Sequence, residues 1–429
     1  MLTVLRQRNF ALLWVGGLAS SIGSTMLVIA LPFYVYTRTG SALATGVMFI
    51  AETVPAVLLG SVAGVFVDRW DRRRTMIVAD VSRAALLPLL LAIPTRDGLW
   101  VIYVVAAAES AISQFFAPAN GALLPRLVGE RDLIAANSLT ALATTLTLLV
   151  APSIGGALLG LLGLPSIVLA DSASYLMSGA LVALIRAPSE AMPRTDMAHA
   201  TALAPWRRIG HEWVDGLRVM CGDRTLTVLV CVMGLSSLAQ GIFTVLLAPL
   251  VKDVLLGSAL VFGWLATAQG VGGLLGGLVV GRVGRAAMPE RLIGLALLAL
   301  GVLVLIMINV PIIALAVVLF ALTGMATVAK GVGARTVMQG RVADRYRGRV
   351  LGAIGTTGAV LTLGGMGLAS GVTDHLGIVP VLDAAGGFWL LAGALAVVML
   401  RGNKSPSDAS AAQQSNSAID HGPVLLPQE

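Results

Sequence analysis

Twelve apolar stretches of roughly 20 residues each divide the chain, with approximate limits 11–35, 43–67, 75–94, 99–118, 138–162, 165–186, 225–249, 258–281, 291–309, 311–334, 350–373 and 378–400. Each is long enough to cross a hydrocarbon core of about 30 Å as an α-helix. A lipid-exposed backbone must satisfy its own hydrogen bonds. No stretch shows the period-2 alternation of a barrel strand. The pattern predicts an all-α integral membrane protein. A polar segment at 188–224 parts the spans into six (1–187) and six (225–401). Within it Trp206, Ile209, Trp213, Leu217 and Met220 recur at helical spacing, with Arg207, Arg208, Glu212, Asp215 and Arg218 on other faces. This is an amphipathic helix, lying either on the inner leaflet or against the ends of the bundle. Residues 402–429 are rich in Ser, Ala, Gln and Asn without apolar periodicity and read as a disordered cytoplasmic tail.

Glycine spacing adds a repeat. The GxxxG pairs fall on spans two, five, eight and eleven: Gly60/Gly64, Gly156/Gly160, Gly272/Gly276, Gly273/Gly277, Gly277/Gly281, Gly348/Gly352 and Gly367/Gly371. Small residues four apart let helix backbones approach closely. Gly60 and Gly64 map onto Gly273 and Gly277, and Gly156 and Gly160 onto Gly367 and Gly371. Two pseudo-symmetric six-helix bundles follow, each divisible into threes, as in alternating-access transporters.

Composition agrees with this reading. Hydrophobic residues make up 57% of the 429 positions and charged ones 12%, against about a quarter charged in soluble domains. With the N-terminus inside, 24 of the 29 Lys and Arg residues fall on the cytoplasmic side, which is the positive-inside asymmetry. The net charge of +7 is thereby a matter of topology, and no nucleic-acid partner is implied. Both termini are expected in the cytoplasm of an inner-membrane protein. Cys221 and Cys231 lie near the cytoplasmic side, where no disulfide is expected. The first apolar run reads as a span, not a cleavable signal.

Ionisable residues inside spans are the candidate chemistry, because a mid-bilayer charge costs at least about 2.5 to 3.5 kcal/mol. Glu52 and Glu109 fall about midway along spans two and four. A desolvated carboxylate takes up a proton more readily, so both are proton-coupling candidates, with a hydrogen-bonded structural acid as the plainer alternative. Asp80 and Arg83 are three apart and read as a structural ion pair. Asp171, Asp383 and Lys330 read as snorkelling to the surfaces.

Residues Gly64 to Arg74 close span two with a burst of charge that is partly repeated at Gly277 to Arg285. The likeness is to the loop motif G-x-x-x-D-R-x-G-R-[RK], with Gly64, Asp68, Arg69, Arg72 and Arg73 in place and Asp71 where the pattern has Gly. The degenerate second copy carries Gly277, Arg282, Gly284 and Arg285, with Gly281 in place of the acid. On these residues the chain resembles the major facilitator superfamily over roughly 1–401. The stretches VDRWDRRRTMIVAD (67–80), FFAPANGALLPRLV (115–128) and DSASYLMS (171–178) look like its macrolide-efflux and enterobactin-exporter branch. APSIGG (151–156) is similar to the antiporter signature GPxxGG, keeping Pro152, Gly155 and Gly156 but with Ala151 for the first Gly.

The resemblance implies a secondary exporter of small hydrophobic or amphiphilic compounds, working by proton antiport and alternating access. A dedicated exporter of an endogenous metabolite such as a siderophore is the alternative. It implies a cytoplasmic latch in which Asp68 faces a helix N-terminus and Arg69, Arg72 and Arg73 pair with acids across the halves. It places Glu109 toward the central cavity and Glu52 toward an interface, and nominates Ser20, Ser24, Gln114, Gln240 and Thr323 as cavity contacts. The partners are a small-molecule substrate and lipid, the protein acting as a monomer and using the proton gradient with no cofactor. A membrane-embedded lipid enzyme is the rival from another class. Against it, the sequence holds no metal-ligand cluster, nucleophile elbow or phosphate-binding loop, so ATP is not the direct energy source.

Overall fold

The computed structural model describes residues 3–92, 98–186, 213–214, 218, 220–283, 288–342 and 344–400. Among them, twelve helices are long and apolar enough to cross a membrane. We number them α1 (Arg8–Thr39), α2 (Ala42–Val67), α3 (Arg72–Leu86), α4 (Leu99–Leu127), α5 (Leu133–Leu162), α6 (Leu164–Ala183), α7 (Arg224–Pro249), α8 (Ala259–Val283), α9 (Pro289–Asn309), α10 (Ile313–Arg341), α11 (Asp344–Leu376) and α12 (Ile378–Met399). Side-chain caps start several of them. Ser41 accepts from the Ala44 N–H, Asp71 from that of Arg74, and Asp223 from those of Thr225 and Leu226. At Leu87–Ala92 α3 tightens into a 3₁₀ turn, where Pro88 removes a ladder donor.

Helices α1–α6 form one bundle and α7–α12 the other, meeting along α5–α8 and α2–α11. The duplication is visible in backbone detail. Gly163 and Gly377, 214 positions apart, precede α6 and α12 with φ of 78° and 86°, a left-handed conformation that glycine adopts without steric cost. At the α5–α8 crossing a Cβ on Gly156 would collide with the backbone of Ala259 and Gly263, and one on Gly263 with that of Pro152 and Gly156. Ser153 and Thr267 share a hydrogen bond of 2.8 Å beside it.

The basic face is the one where α1 begins and α12 ends; the halves close against each other at the opposite face. Tyr36 at the end of α1 donates to Asp253 beyond α7. Phe33 meets Phe262 at 5.5 Å, and Gly46 abuts Ser370. Phe33, Tyr36 and Ala42 accordingly belong to the core of the second half. Toward the basic face the contact is lost. A Cβ on Gly64, Gly348 or Gly352 would meet nothing within 4 Å. Close helix approach, expected of every GxxxG pair, therefore holds for Gly156 and for Gly272 and Gly276, which lie on Ala321 and Met325 of α10, but not for these three, for Gly277 and Gly281, or for Gly367 and Gly371.

The 188–224 segment lies mostly outside the described residues. Its described end packs on the bundle: Trp213 Nε1 donates to Thr357 Oγ1 at 3.2 Å, and buried Met220 clusters with Met338, Val342 and Val350. Of the two placements open in the sequence, docking on the helix ends is the one seen for these residues. The 402–429 tail is outside the described residues.

Candidate functional site

The apolar core of the first half is split in two. One cluster gathers Met26, Leu31, Ile102 and Tyr175, and another, toward the basic face, gathers Phe10, Val67, Met76 and Leu123. A polar layer lies between them. Asp80 and Arg83, placed on one side of α3 by their i, i+3 spacing, form an ion pair at 2.5 Å with 0% and 6% side-chain exposure. The Arg83 guanidinium lies 4.1 Å from the Tyr175 ring centre and 4.8 Å from that of Phe116, so a buried cation is held between two aromatic faces.

Glu109 is tied to this layer from two sides. Its Oε1 accepts from Tyr175 Oη at 2.8 Å and from Ser113 Oγ at 3.1 Å, and Ser113 in turn lies 3.4 Å from an Arg83 nitrogen. Glu52 is the second wall of the same site. Its backbone carbonyl accepts from Ser110 Oγ at 2.6 Å, and its side chain borders, with that of Glu109, a cavity lined by Leu27, Leu31, Met48, Leu87 and Val105. The cavity offers about 20 Å³ to a water-sized sphere, room for one water molecule. The two acids thus border one pocket inside the first half.

Asp171 corrects the sequence reading. It lies two turns inside α6 with 0% exposure, so it does not snorkel. Its Oδ1 accepts from Ser174 Oγ at 3.2 Å, and its Oδ2 has no hydrogen-bond partner among the described residues. Gly23 makes room for it, since a Cβ there would strike Asp171 Oδ1 and Ser174 Oγ. Lys330 does not snorkel either: its Nζ donates inward to Ser236 Oγ at 3.0 Å. Asp383 does stay at the surface, accepting from Asn309 at 3.0 Å.

In the loop after α2 the hydrogen bonds of Asp71 and Arg73 stay within the first half. Arg73 donates to the carbonyls of Val182 (3.1 Å) and Ala183 at the end of α6 in its own half. Val182 O also accepts from the Ile185 N–H at 3.1 Å, but a carbonyl has a second lone pair, and those at a helix C-terminus carry the negative end of its dipole, so they compete well for a guanidinium. Asp71, the departure from the motif, caps α3 by accepting from the Arg74 N–H at 2.7 Å. Asp68 closes α2 through its backbone, donating to Gly64 O at 3.0 Å. Arg69 is exposed, and Arg72 is half-buried with interactions of its own. In the second copy Gly277 and Arg282 are exposed at the end of α8, while Gly284 and Arg285 lie outside the described residues.

The α5 signature is a packing device. Gly155 lies on the backbone of Met26 in α1, and Gly156 on α8. The five nominated cavity residues turn to their own helices: Ser20 to Gly17 O, Ser24 to Ser20 O, Gln114 to Ser110 O, Gln240 to Thr244, and Thr323 to Phe320 O. Among the described residues no group of three or more His, Cys, Asp or Glu is placed to hold a metal ion.

Comparison with known proteins places this geometry. A family model described as transmembrane secretion effector matches residues 1–426. The chain is 27% identical to the multidrug efflux pump Tap of Mycolicibacterium fortuitum, over 90% of this chain and 94% of that one. It is 26% identical to the enterobactin exporter EntS of Shigella boydii, over 87% and 86%. Its backbone follows that of a bacterial homologue of the iron transporter ferroportin in its inward-facing state, with a TM-score of 0.71 and 17% identity over 93% of this chain and 99% of that one. At that identity the likeness establishes the fold.

Proposed function

Because the chain belongs to the transmembrane secretion effector family of the major facilitator transporters, we propose that it is a proton-driven exporter of small hydrophobic or amphiphilic compounds. It acts as a monomer with its basic face in the cytoplasm, and residues 188–224 join its two halves. One observation carries the coupling. Asp80 neutralises Arg83, so Glu52, Glu109 and Asp171 sit buried or half-buried in the first half with no cation of their own within 4.0 Å among the described residues. Ionised carboxylates so placed are costly, and protonation removes the charge. Tyr175 and Ser113 aim hydroxyls at Glu109, and the adjoining cavity has room for a water to hand a proton between Glu109 and Glu52.

The seal at the opposite face and the parted helices at the basic face support one end state of an alternating-access cycle, open to the cytoplasm. Protonation exchange at Glu109 biases the equilibrium between this state and its counterpart. The test is Glu109→Gln in inverted vesicles with a fluorescent amphiphilic dye. The expected result is at least a tenfold loss of pH-gradient-driven transport at unchanged protein abundance; undiminished transport removes Glu109 from the mechanism. A second reading, a dedicated exporter of one endogenous metabolite, draws on the similarity to the enterobactin exporter. A substrate panel distinguishes breadth from dedication.

A further inference from the structure

The second half buries a cation that proton coupling through Glu109 leaves idle. Lys330 lies near the middle of α10, and its Nζ donates at 3.0 Å to Ser236 Oγ at the centre of α7. Trp389 Nε1, from the centre of α12, donates to the same oxygen at 3.2 Å. Ser236 and Trp389 are 1% and 2% exposed, and the indole is wedged by Phe243, whose ring lies edge-on at 5.6 Å. Trp389 stands 214 positions after Tyr175, the hydroxyl donor to Glu109, on the corresponding helix of the other half. The same frame thus presents an acid in one half and an ammonium in the other.

Counting donors shows what the second site lacks. An ammonium has three donors and no acceptor, and Ser236 Oγ takes one while also serving the indole. Among the described residues no carboxylate lies within 4.0 Å of Lys330 to balance it. The side chain also leaves α10 beside the right space. Val318, Leu322 and Val332 are the exposed apolar residues of α10 and mark its lipid side. At 3.6 residues per turn, exposed Thr327 falls on the other side, and half-buried Lys330 lies next to it. An exposed residue turned away from lipid opens on the space between the halves.

We propose that Lys330, with Ser236 and Trp389, forms an anion subsite that takes the carboxylate or phosphate group of an amphiphilic substrate. The proposal rests on the exporter reading and narrows its substrate class to amphiphiles bearing an acidic group. Lys330 supplies the charge, the Ser236 hydroxyl is free to reorient as a second donor, and Trp389 fixes the serine in place.

The test uses the full-length protein in phosphatidylcholine nanodiscs, which supply no anionic headgroup. Dansylglycine and its uncharged methyl ester are titrated by energy transfer from tryptophan. Wild type is expected to bind the acid at least tenfold more tightly than the ester. Lys330→Met should bind the two alike while keeping the ester affinity, which also verifies its fold, and Lys330→Arg should retain the preference. Equal binding by wild type, or an undiminished preference in Lys330→Met, overturns the subsite. Binding of neither probe to wild type overturns the amphiphile reading and the subsite together.

Discussion

The buried pair on α3 allows a quantitative test of how the first half tolerates its polar layer. Replacing Arg83 with Met removes the cation but leaves Asp80, with 0% exposure, without its counter-charge. Deleting one partner of a buried pair costs about 3–5 kcal/mol, most of it the penalty of the stranded charge. Adding Asp80→Asn removes that charge. What then remains lost is the stacking of the guanidinium on Tyr175 and Phe116, about 1–2 kcal/mol. The double variant should therefore be more stable than Arg83→Met alone by about 2–3 kcal/mol, or roughly 30- to 150-fold in the unfolding equilibrium. Titration of purified protein with sodium dodecyl sulfate, followed by circular dichroism, measures the order. A double variant no more stable than the single would show that Asp80 is not stranded and that water or another donor reaches it, which would refute the dry polar layer.

Two further outcomes follow from the contacts between the halves. Tyr36→Phe removes the hydrogen bond to Asp253; bonds to charged groups contribute about 1.5–3 kcal/mol, so labelling of a cysteine at Ser370 by an impermeant maleimide added from the opposite face should speed up at least tenfold in a background lacking Cys221 and Cys231. An unchanged rate would mean that the seal rests on apolar contacts alone. Gly156→Leu drives a side chain into the α8 backbone at Ala259 and Gly263, and monodisperse protein after detergent extraction should fall sharply, whereas Gly64→Ala, with nothing within 4 Å, should leave it intact; similar yields from both would contradict the crossing.

The spans were legible because each buries a continuous apolar run, which is a local property. Their ends were less so. α4 continues to Leu127, past the apolar limit near 118, and α10 to Arg341, past 334, because a helix projects beyond the hydrocarbon while hydropathy registers only the part inside it. The acids Glu52 and Glu109 were legible for the same reason, as charges interrupting apolar runs. Their partners were not. Tyr175 is 66 residues from Glu109 and on another helix, and nothing local in the sequence encodes that meeting. Asp171 and Lys330 were misjudged because position along a run gives depth, whereas which way a side chain faces depends on the helix's rotation against its neighbours. Conversely, Ser20, Ser24, Gln114, Gln240 and Thr323 looked like ligand contacts by helix number, and acceptors on their own helices were nearer: backbone carbonyls for four of them and the Thr244 hydroxyl for Gln240. The contact of Arg73 with the α6 terminus, 109 residues away, was not legible either, because the two adjoin only in the fold.

The bare main-chain contact of Gly156 with Gly263 also determines mechanical advantage. In the proposed alternating-access cycle it would serve as a fulcrum set near one end of α5, leaving an arm of roughly 35 Å from Gly156 to the start of that helix at 1.5 Å per residue. A tilt of about 10° at this point swings the far tip by about 6 Å over that arm. With no side chains interlocked at Gly156 and Gly263, a small angular adjustment on one side of the membrane would then be amplified into a displacement of several ångströms on the other.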